Sequence, residues 1–309
     1  MDISETTAWL GRANAGSCHP KRFDNIDQTL PYFRIQKEDG RHSISMFNYR
    51  THDNADRMGY VCSYLLEMVL PRVSGDVCGY YSIQLHDSYT YLDDGKDYKD
   101  VLCFGMSKGD RGPVMLPDCY FMGGWGGKYA SFVDNQPWES KKSRVCFYGT
   151  TTGNRNPALN ERINVCLWGA SRPWCDFKIT KVAQMQASLV PKGVLSAPVP
   201  LSEQTKNRYM LIVDGNVSKW DVDCYYSRCL GLSMPSNNML WYYPLLQSGT
   251  HNAPVTLDTL EPVFNYYENN VGEALRIISN ANRLASSLFR AEVAVDYTVS
   301  LFETIAENK

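Results

Sequence analysis

The stretch from Phe147 to Cys166, FYGTTTGNRNPALNERINVC, sets three consecutive threonines, two glycines and an arginine between an apolar run and a segment with apolar residues at helical spacing. Before it, Arg144-Val-Cys-Phe-Tyr reads as a short buried strand; after it, Ala158 to Trp168 reads as a helix. A strand, a small polar loop and a helix is the arrangement that offers backbone N–H groups to a phosphate. Gly and Asn are also ordinary turn residues, so the loop alone leaves a plain strand-to-helix connection open. A second run, Arg208-Tyr-Met-Leu-Ile-Val-Asp-Gly, reads as a buried strand entering a glycine turn at Asp214-Gly215.

These residues need a scaffold. A chain of 309 residues is long enough for about two domains with separate cores. Hydrophobic content of 44% with 21% charged residues is globular rather than disordered. A formal net charge of −2 and the lack of a basic cluster argue against a nucleic-acid partner. No run of 18 apolar residues exists, and the N-terminus lacks a basic segment followed by an apolar one, so neither membrane insertion nor secretion is expected. The ten cysteines are scattered, with no CxxC and no Cys/His pairing at zinc spacing, so a reducing compartment and no structural metal are expected.

Elements alternate along the chain. Asp53 to Val73 carries Met58, Val61, Cys62, Leu65, Leu66 and Val69 on one face, a helix that Pro71 helps to end. Gly79 to His86 and Asp100 to Met106 have strand patterns, with an acidic, turn-rich loop between them. A Gly-rich segment then leads to a boundary near residues 134 to 144. The second half repeats the alternation: helix from Trp220 to Leu230, a short strand at Gly231 to Met234, helix from Leu257 to Tyr267, and one long helical region from Val271 to roughly Ala306. Alternation in both halves predicts two doubly wound α/β domains facing across a cleft.

The succession CFYGTTTGNRNPALNERI, then YMLIVDGNVSKWDVDCYYSRCLGLSM, then WYYPLLQSGTHNAPVTLDTLEPVFNYYENNVGEALRIISNANRLASSLF resembles glycosyltransferase family 90, the capsule-associated and protein O-glucosyltransferase-like family. The resemblance covers about residues 80 to 305 and is strongest after Val145. It implies a GT-B architecture: an N-terminal Rossmann-like acceptor-side domain over 1–140, a C-terminal Rossmann-like nucleotide-sugar domain over 141–285, and a C-terminal helix over 286–309 packing back on the first domain. It also implies inversion at the anomeric carbon, no metal and no separate cofactor.

On this reading Gly149 lets the backbone approach the diphosphate of a UDP-sugar, Thr150, Thr151 and Thr152 offer hydroxyl donors, and Arg155 supplies a planar cation. A local pairing of Arg155 with Glu161 stays open. Asp214 and Gly215 form the second donor loop. Where relatives carry an Arg in the next helix, this chain reads Lys219-Trp-Asp-Val-Asp, with Asp223 near the corresponding place; Lys219 is the favoured substitute, with Ser218 and Arg228 as alternatives. The resemblance places a catalytic base at an N-domain strand end, here Asp87, with Asp93, Asp94 and His86 as alternatives. Asp118, Tyr120 and Trp125, in PDCYFMGGWGG, together with His86, are candidates for sugar contact; core packing is the competing role for the aromatic residues.

The expected function is thus an inverting, metal-independent transfer of a sugar from a UDP donor to a hydroxyl of a glycan acceptor, UDP-xylose favoured and UDP-glucose next. A cytoplasmic enzyme of microbial or viral origin fits the lack of a signal peptide. The alternative is a non-catalytic nucleotide-sugar or glycan-binding relative.

Overall fold

The structure, a computed structural model, describes residues 30–50, 54–86, 101–108, 113–122, 134–216 and 220–308, together with 5, 10–13 and 132. The chain divides into two compact units. One comprises 1–128, 237–243 and 287–309; the other comprises 129–236 and 244–286.

In the first unit, β1 (Tyr32–Glu38) and β2 (Arg41–Phe47) form an antiparallel hairpin, and β3 (Gly79–Ser82) pairs antiparallel on the other side of β1. The hairpin turn is Asp39-Gly40, both at positive φ (50° and 77°). That two-residue turn matches the right-handed twist of the flanking strands. Beyond β3, Ile83 bridges Leu102 in parallel, and Leu102–Cys103 pairs in parallel with Val114–Met115. The doubly wound sheet expected for the first half is therefore met only in part among the described residues. A two-residue turn joins antiparallel strands, whereas a parallel pair needs a crossover of a dozen residues or more.

The helix α1 (Ala55–Tyr64) continues through a wide turn at Leu65–Val69 and a tight one at Leu70–Arg72, close to the expected span. Its apolar stripe buries Met58, Val61, Leu65 and Val69 against Phe33, Ile35, Tyr81, Ile83 and Leu85. The alternation of Tyr81, Ile83 and Leu85 puts one face of the strand on this core. The helix Ala291–Glu307 adds Val295, Leu301, Phe302 and Ile305 to the same core. It is tied there by Tyr64 Oη to Thr298 Oγ1 at 3.0 Å and by Tyr297 Oη donating to the Met115 carbonyl at 2.8 Å.

The second unit is built on a five-stranded parallel sheet. Its strands are β4 (Lys142–Thr150), β5 (Cys175–Lys181), β6 (Asn207–Ile212), β7 (Leu230–Ser233) and β8 (Ala253–Pro254), in the spatial order β8-β7-β6-β4-β5. The central strands are apolar on both faces, with Val145 to Tyr148 and Tyr209 to Val213 all buried, as strands covered by helices on both sides must be. The helix α2 (Glu161–Gly169) connects β4 to β5, and α3 (Trp220–Tyr225) connects β6 to β7. The helix Leu260–Asn269 contributes Leu260 and Phe264 to this core, and Val271–Leu288 contributes Ala274, Ile277 and Ile278.

The single helix expected from Val271 to about Ala306 is corrected to two, broken at Phe289-Arg290. Arg290 is extended (φ −103°, ψ 145°), and Phe289 is buried with its ring 4.9 Å from that of Tyr242 and 5.5 Å from that of Phe121. Aromatic packing here overrides a periodicity that would have carried the helix on.

Candidate functional site

Chain order gives the second unit its site. From β4 the chain crosses to β5 on one side, then returns to β6 on the other side of β4. The loops leaving β4 and β6 therefore diverge at a topological switch point, where open α/β sheets bind ligands beyond the carboxyl ends of their strands. These are the loops that carry Thr150 to Gly153 and Asp214 to Asn216.

A residue overlooked at the sequence level joins them. Arg162, in the first turn of α2, is only 5% exposed. Its Nη1 donates to Thr152 Oγ1 at 2.9 Å and to the Thr150 carbonyl and Oγ1, both at 3.3 Å. Its Nε donates to the Asp214 carbonyl at 3.0 Å and its Nη2 to the Val213 carbonyl at 3.0 Å. One guanidinium thus holds the ends of two neighbouring strands, a task for which its rigid fork of donors suits it.

Three glycines make room. A Cβ on Gly149 would stand 2.5 Å from Cζ of Phe147, whose ring lies 5.9 Å from the Arg162 guanidinium carbon. Gly149 therefore has a packing reason: it admits the ring that floors the arginine. A Cβ on Gly215 would stand 2.6 Å from Arg162 Cζ and 2.5 Å from Thr152 Oγ1. Gly153 adopts φ +112°, and its added Cβ would meet Gly215 at 3.5 Å, so the two loops touch glycine to glycine. Its N–H donates to Asn216 Oδ1 at 3.0 Å.

Capping orders the rest of the loop. Asn160 accepts from the Ile163 N–H at 3.1 Å and donates through Nδ2 to the carbonyls of Thr151 and Asn154 at 3.1 and 2.9 Å. It is the N-cap of α2 and a clamp on the loop before it. The expected donor role of Thr151 is corrected: its side chain is buried, donates to the Ala183 carbonyl at 2.6 Å and accepts the Ala183 N–H at 2.8 Å. Thr150 and Thr152 remain half-buried, with their hydroxyl oxygens 3.0 Å apart. Arg155 is exposed and makes no hydrogen bond or ion pair with any described residue, so the pairing with Glu161 does not form.

The charges are unevenly solvated. Burial brings the Arg162 pKa down to about 10, opposed by the charges of Asp214 and Glu161, so it stays cationic at neutral pH. Glu161 is held above the usual carboxylate range by burial first and by Asp214 next, with Arg162 acting the other way. Asp214 accepts from Ser236 Oγ. A raised folded pKa makes ionised Glu161 a cost at pH 7 that disappears once the pH falls below the unfolded value. Glu161→Gln is therefore expected to raise the melting temperature at pH 7, with the gain fading towards pH 4; an equal shift at both pH values would refute the coupling.

In the first unit, His86 is half-buried, with Nδ1 3.1 Å from Asn54 Nδ2 and its N–H on Gln84 Oε1 at 3.0 Å. Asp118 is buried, its carbonyl accepting from the Phe121 N–H at 2.8 Å. Tyr120 lies in the short helix Cys119–Met122. Asp87, Asp93, Asp94, Trp125, Ser218 and Lys219 lie outside the described residues. Asp223 is half-buried on α3, and Arg228 is exposed just beyond it.

Among the described residues, no group of three or more His, Cys, Asp or Glu side chains gathers as a metal site, and no helix is long and apolar enough to cross a membrane. Burial pushes the thiols of Cys62, Cys166 and Cys175 up to about 12 and that of Cys229 to about 11, so none of these is a thiolate nucleophile at neutral pH.

No protein-family model matches the chain, and no curated protein does. Solved structures similar to parts of it include the following three. The C-terminal domain of the glycosyl transferase group 1 family protein LpcC from Francisella tularensis is 7% identical, with a TM-score of 0.36 over 52% of this chain and 97% of that one. Anabaena Alr3699/HepE in complex with UDP-glucose is 12% identical, with a TM-score of 0.36 over 49% of this chain and 46% of that one. The same Anabaena protein with UDP and glucose is 10% identical, with a TM-score of 0.34 over 51% and 47%. The chain thus spans under half of HepE's length, and likeness at this level decides nothing about chemistry.

Proposed function

We propose that the protein is a glycosyltransferase that uses a UDP-sugar and transfers its sugar, with inversion, to a hydroxyl of a glycan. The observation that carries the reading is the pair of glycine-lined loops at the β4/β6 switch point, joined by Arg162 and bearing Thr150, Thr152 and Arg155, which pairs with no described residue. Fixed donors and a cation aimed at one place suit the diphosphate, whose β-phosphate gains charge as the sugar leaves. Carboxylates beside them, Asp214 and Glu161, suit hydroxyls of the donor. Ser218 and Lys219 are our choices for the remaining phosphate contacts.

The reaction is a single displacement. The acceptor oxygen forms its bond to the anomeric carbon as the bond from that carbon to the β-phosphate oxygen breaks, the electron pair leaves with UDP, and the acceptor proton passes to a carboxylate. Asp87 is our choice of base, and His86, Asp118, Tyr120 and Trp125 are our choices for contacts to the sugars. This assigns residues 1–140 the acceptor side and 141–285 the donor side of a GT-B enzyme, with residues 286–309 bracing the former. UDP-xylose is the favoured donor, UDP-glucose the next, and the chemistry assigned to these residues uses no metal. A cytoplasmic location suits such a catalyst.

The test follows UDP release from UDP-xylose, UDP-glucose, UDP-galactose and GDP-sugars with EDTA present. Release from one UDP-sugar that survives EDTA, and that falls by about 10²-fold or more in Asp87→Asn, is the expected result. UDP binding without release from any donor in a broad acceptor mixture would replace this reading with a non-catalytic nucleotide-sugar-binding protein.

A further inference from the structure

The sheet of the first unit has a second face. Tyr81, Ile83 and Leu85 belong to the helix-covered core, so Tyr80, Ser82 and Gln84 share the opposite face. Ser82 and Gln84 are each 1% exposed, yet Ser82 Oγ and Gln84 Nε2 are buried with no hydrogen-bond partner. The Gln84 amide is oriented by the His86 N–H, which donates to its Oε1 at 3.0 Å. Its two amide hydrogens are therefore the unused groups. A buried polar group without a partner keeps its desolvation cost, and apolar residues at both positions would remove it. Two such groups, two residues apart on one face of one strand, are what a ligand would satisfy.

The neighbours of this pair define the ligand's chemistry. Tyr32 lies directly opposite Ser82 in the β1/β3 register. Its ring stacks on Phe47 at 5.0 Å and lies 6.2 Å from that of Tyr80, and the Phe47 and Tyr80 rings are 6.4 Å apart. Tyr32 is buried, whereas Phe47 and Tyr80 are half-buried, so the aromatic cluster is where this face reaches solvent. An amide with only donors to offer, beside a hydroxyl that both donates and accepts, suits oxygens of the same dual kind. An aromatic edge next to them suits an apolar surface. A pyranose presents both, hydroxyls around its rim and C–H groups on its face. The guanidinium carbon of Arg34 lies 5.3 Å from the Tyr80 ring, which makes an anion the competing occupant.

We infer that this face of β1 and β3 is a subsite for a pyranose of the acceptor glycan: Gln84 Nε2 donates to one hydroxyl, Ser82 Oγ exchanges a hydrogen bond with another, and the edge formed by Tyr80 and Phe47 meets the ring's C–H groups. The inference rests on the proposed glycosyl transfer and gives its acceptor a place in the first unit. The strand that carries it leads towards Asp87, three residues after Gln84 in the sequence.

The experiment is an NMR titration of the whole chain with methyl β-D-xylopyranoside, methyl β-D-glucopyranoside, methyl β-D-galactopyranoside and inorganic phosphate, with and without saturating UDP. It compares the unaltered protein with Ser82→Ala and Gln84→Leu, and a melting curve is taken on each sample. The expected result is that at least one glycoside binds, that its affinity falls at least tenfold in each variant, and that UDP affinity stays the same. Ser82→Ala should melt no lower than the unaltered protein, because it deletes a group that has no partner. A purely structural serine would lower the melting temperature when removed, and that outcome would overturn the inference. Unchanged glycoside affinity in both variants, no glycoside bound by the unaltered chain, or phosphate bound in place of the glycosides would overturn it equally. Gln84→Leu also gives up the bond to the His86 N–H; if it fails to fold, Ser82→Ala decides alone. Glycoside binding that is lost in the variants, in a protein indifferent to UDP, would uphold the subsite while sinking the UDP-sugar reading.

Discussion

Arg155→Ala is expected to lower kcat/KM for the UDP-sugar by about 10²- to 10³-fold, the effect of removing one strong donor from a developing anion, with no change in thermal unfolding. The second half of that expectation comes from the structure. Arg155 is exposed and bonded to no described residue, so its removal costs the fold nothing. The loop around it is held by other groups: Asn160 on the carbonyls of Thr151 and Asn154, Asn154 Oδ1 on the Asn156 N–H at 2.9 Å, and Asn156 Oδ1 on the Ala158 N–H at 3.1 Å. An exposed guanidinium on a well-ordered loop beside a switch point is a group available to a ligand. Arg155→Lys should recover only part of the loss, because an ammonium lacks the planar fork that meets two phosphate oxygens. Steady-state UDP release and a melting curve on the same samples are the check. Unchanged turnover would remove Arg155 from the donor site, and a lowered melting temperature would mean that it supports the fold instead.

Lys141→Met should produce the largest loss of stability. The side chains of Lys141 and Asp134 are 0% and 3% exposed, with Nζ 2.7 Å from Asp134 Oδ2. Nζ also donates to the Thr205 carbonyl and lies 3.8 Å from Cys229 Sγ. Asp134 accepts further from the N–H groups of Arg228 at 2.7 Å and Gln136 at 3.1 Å. Removing one partner of such a buried pair leaves the other charge uncompensated, at a cost of about 3–5 kcal/mol. For a unit of this size that is a fall of about 10 °C in melting temperature. Asp134→Asn in the same chain should restore part of the loss by removing the charge. A melting temperature within a degree or two of the unaltered protein, at pH 7, would contradict this account.

Much of the second unit was legible in the sequence. Strands of a parallel sheet are buried on both faces, so Val145 to Tyr148 and Tyr209 to Val213 stand out as continuous apolar runs. The polar loop after the first and the Asp214-Gly215 turn after the second were visible for the same reason, since breakers end such runs abruptly. In the first unit, Asp39-Gly40 between two strands was a readable hairpin signal.

What the sequence could not hold was the meeting of the two loops. A lone arginine near the start of a helix reads as a solvated charge, and Arg162 is 51 residues from the Val213 carbonyl it binds. Only the return of the chain across β4 to form β6 brings that carbonyl beside Thr150, and only then does a guanidinium between them become a buried group bonded to both loops. The same contact sorted the three threonines. By type they are identical donors, but side chains alternate along an extended strand end, so Thr151 turned inward to Ala183 while Thr150 and Thr152 shared Arg162. Local pattern determined which segments became strands, loops and helices, because it reflects burial residue by residue; the roles of individual polar groups were decided by neighbours distant in the chain, which only the sheet order supplies.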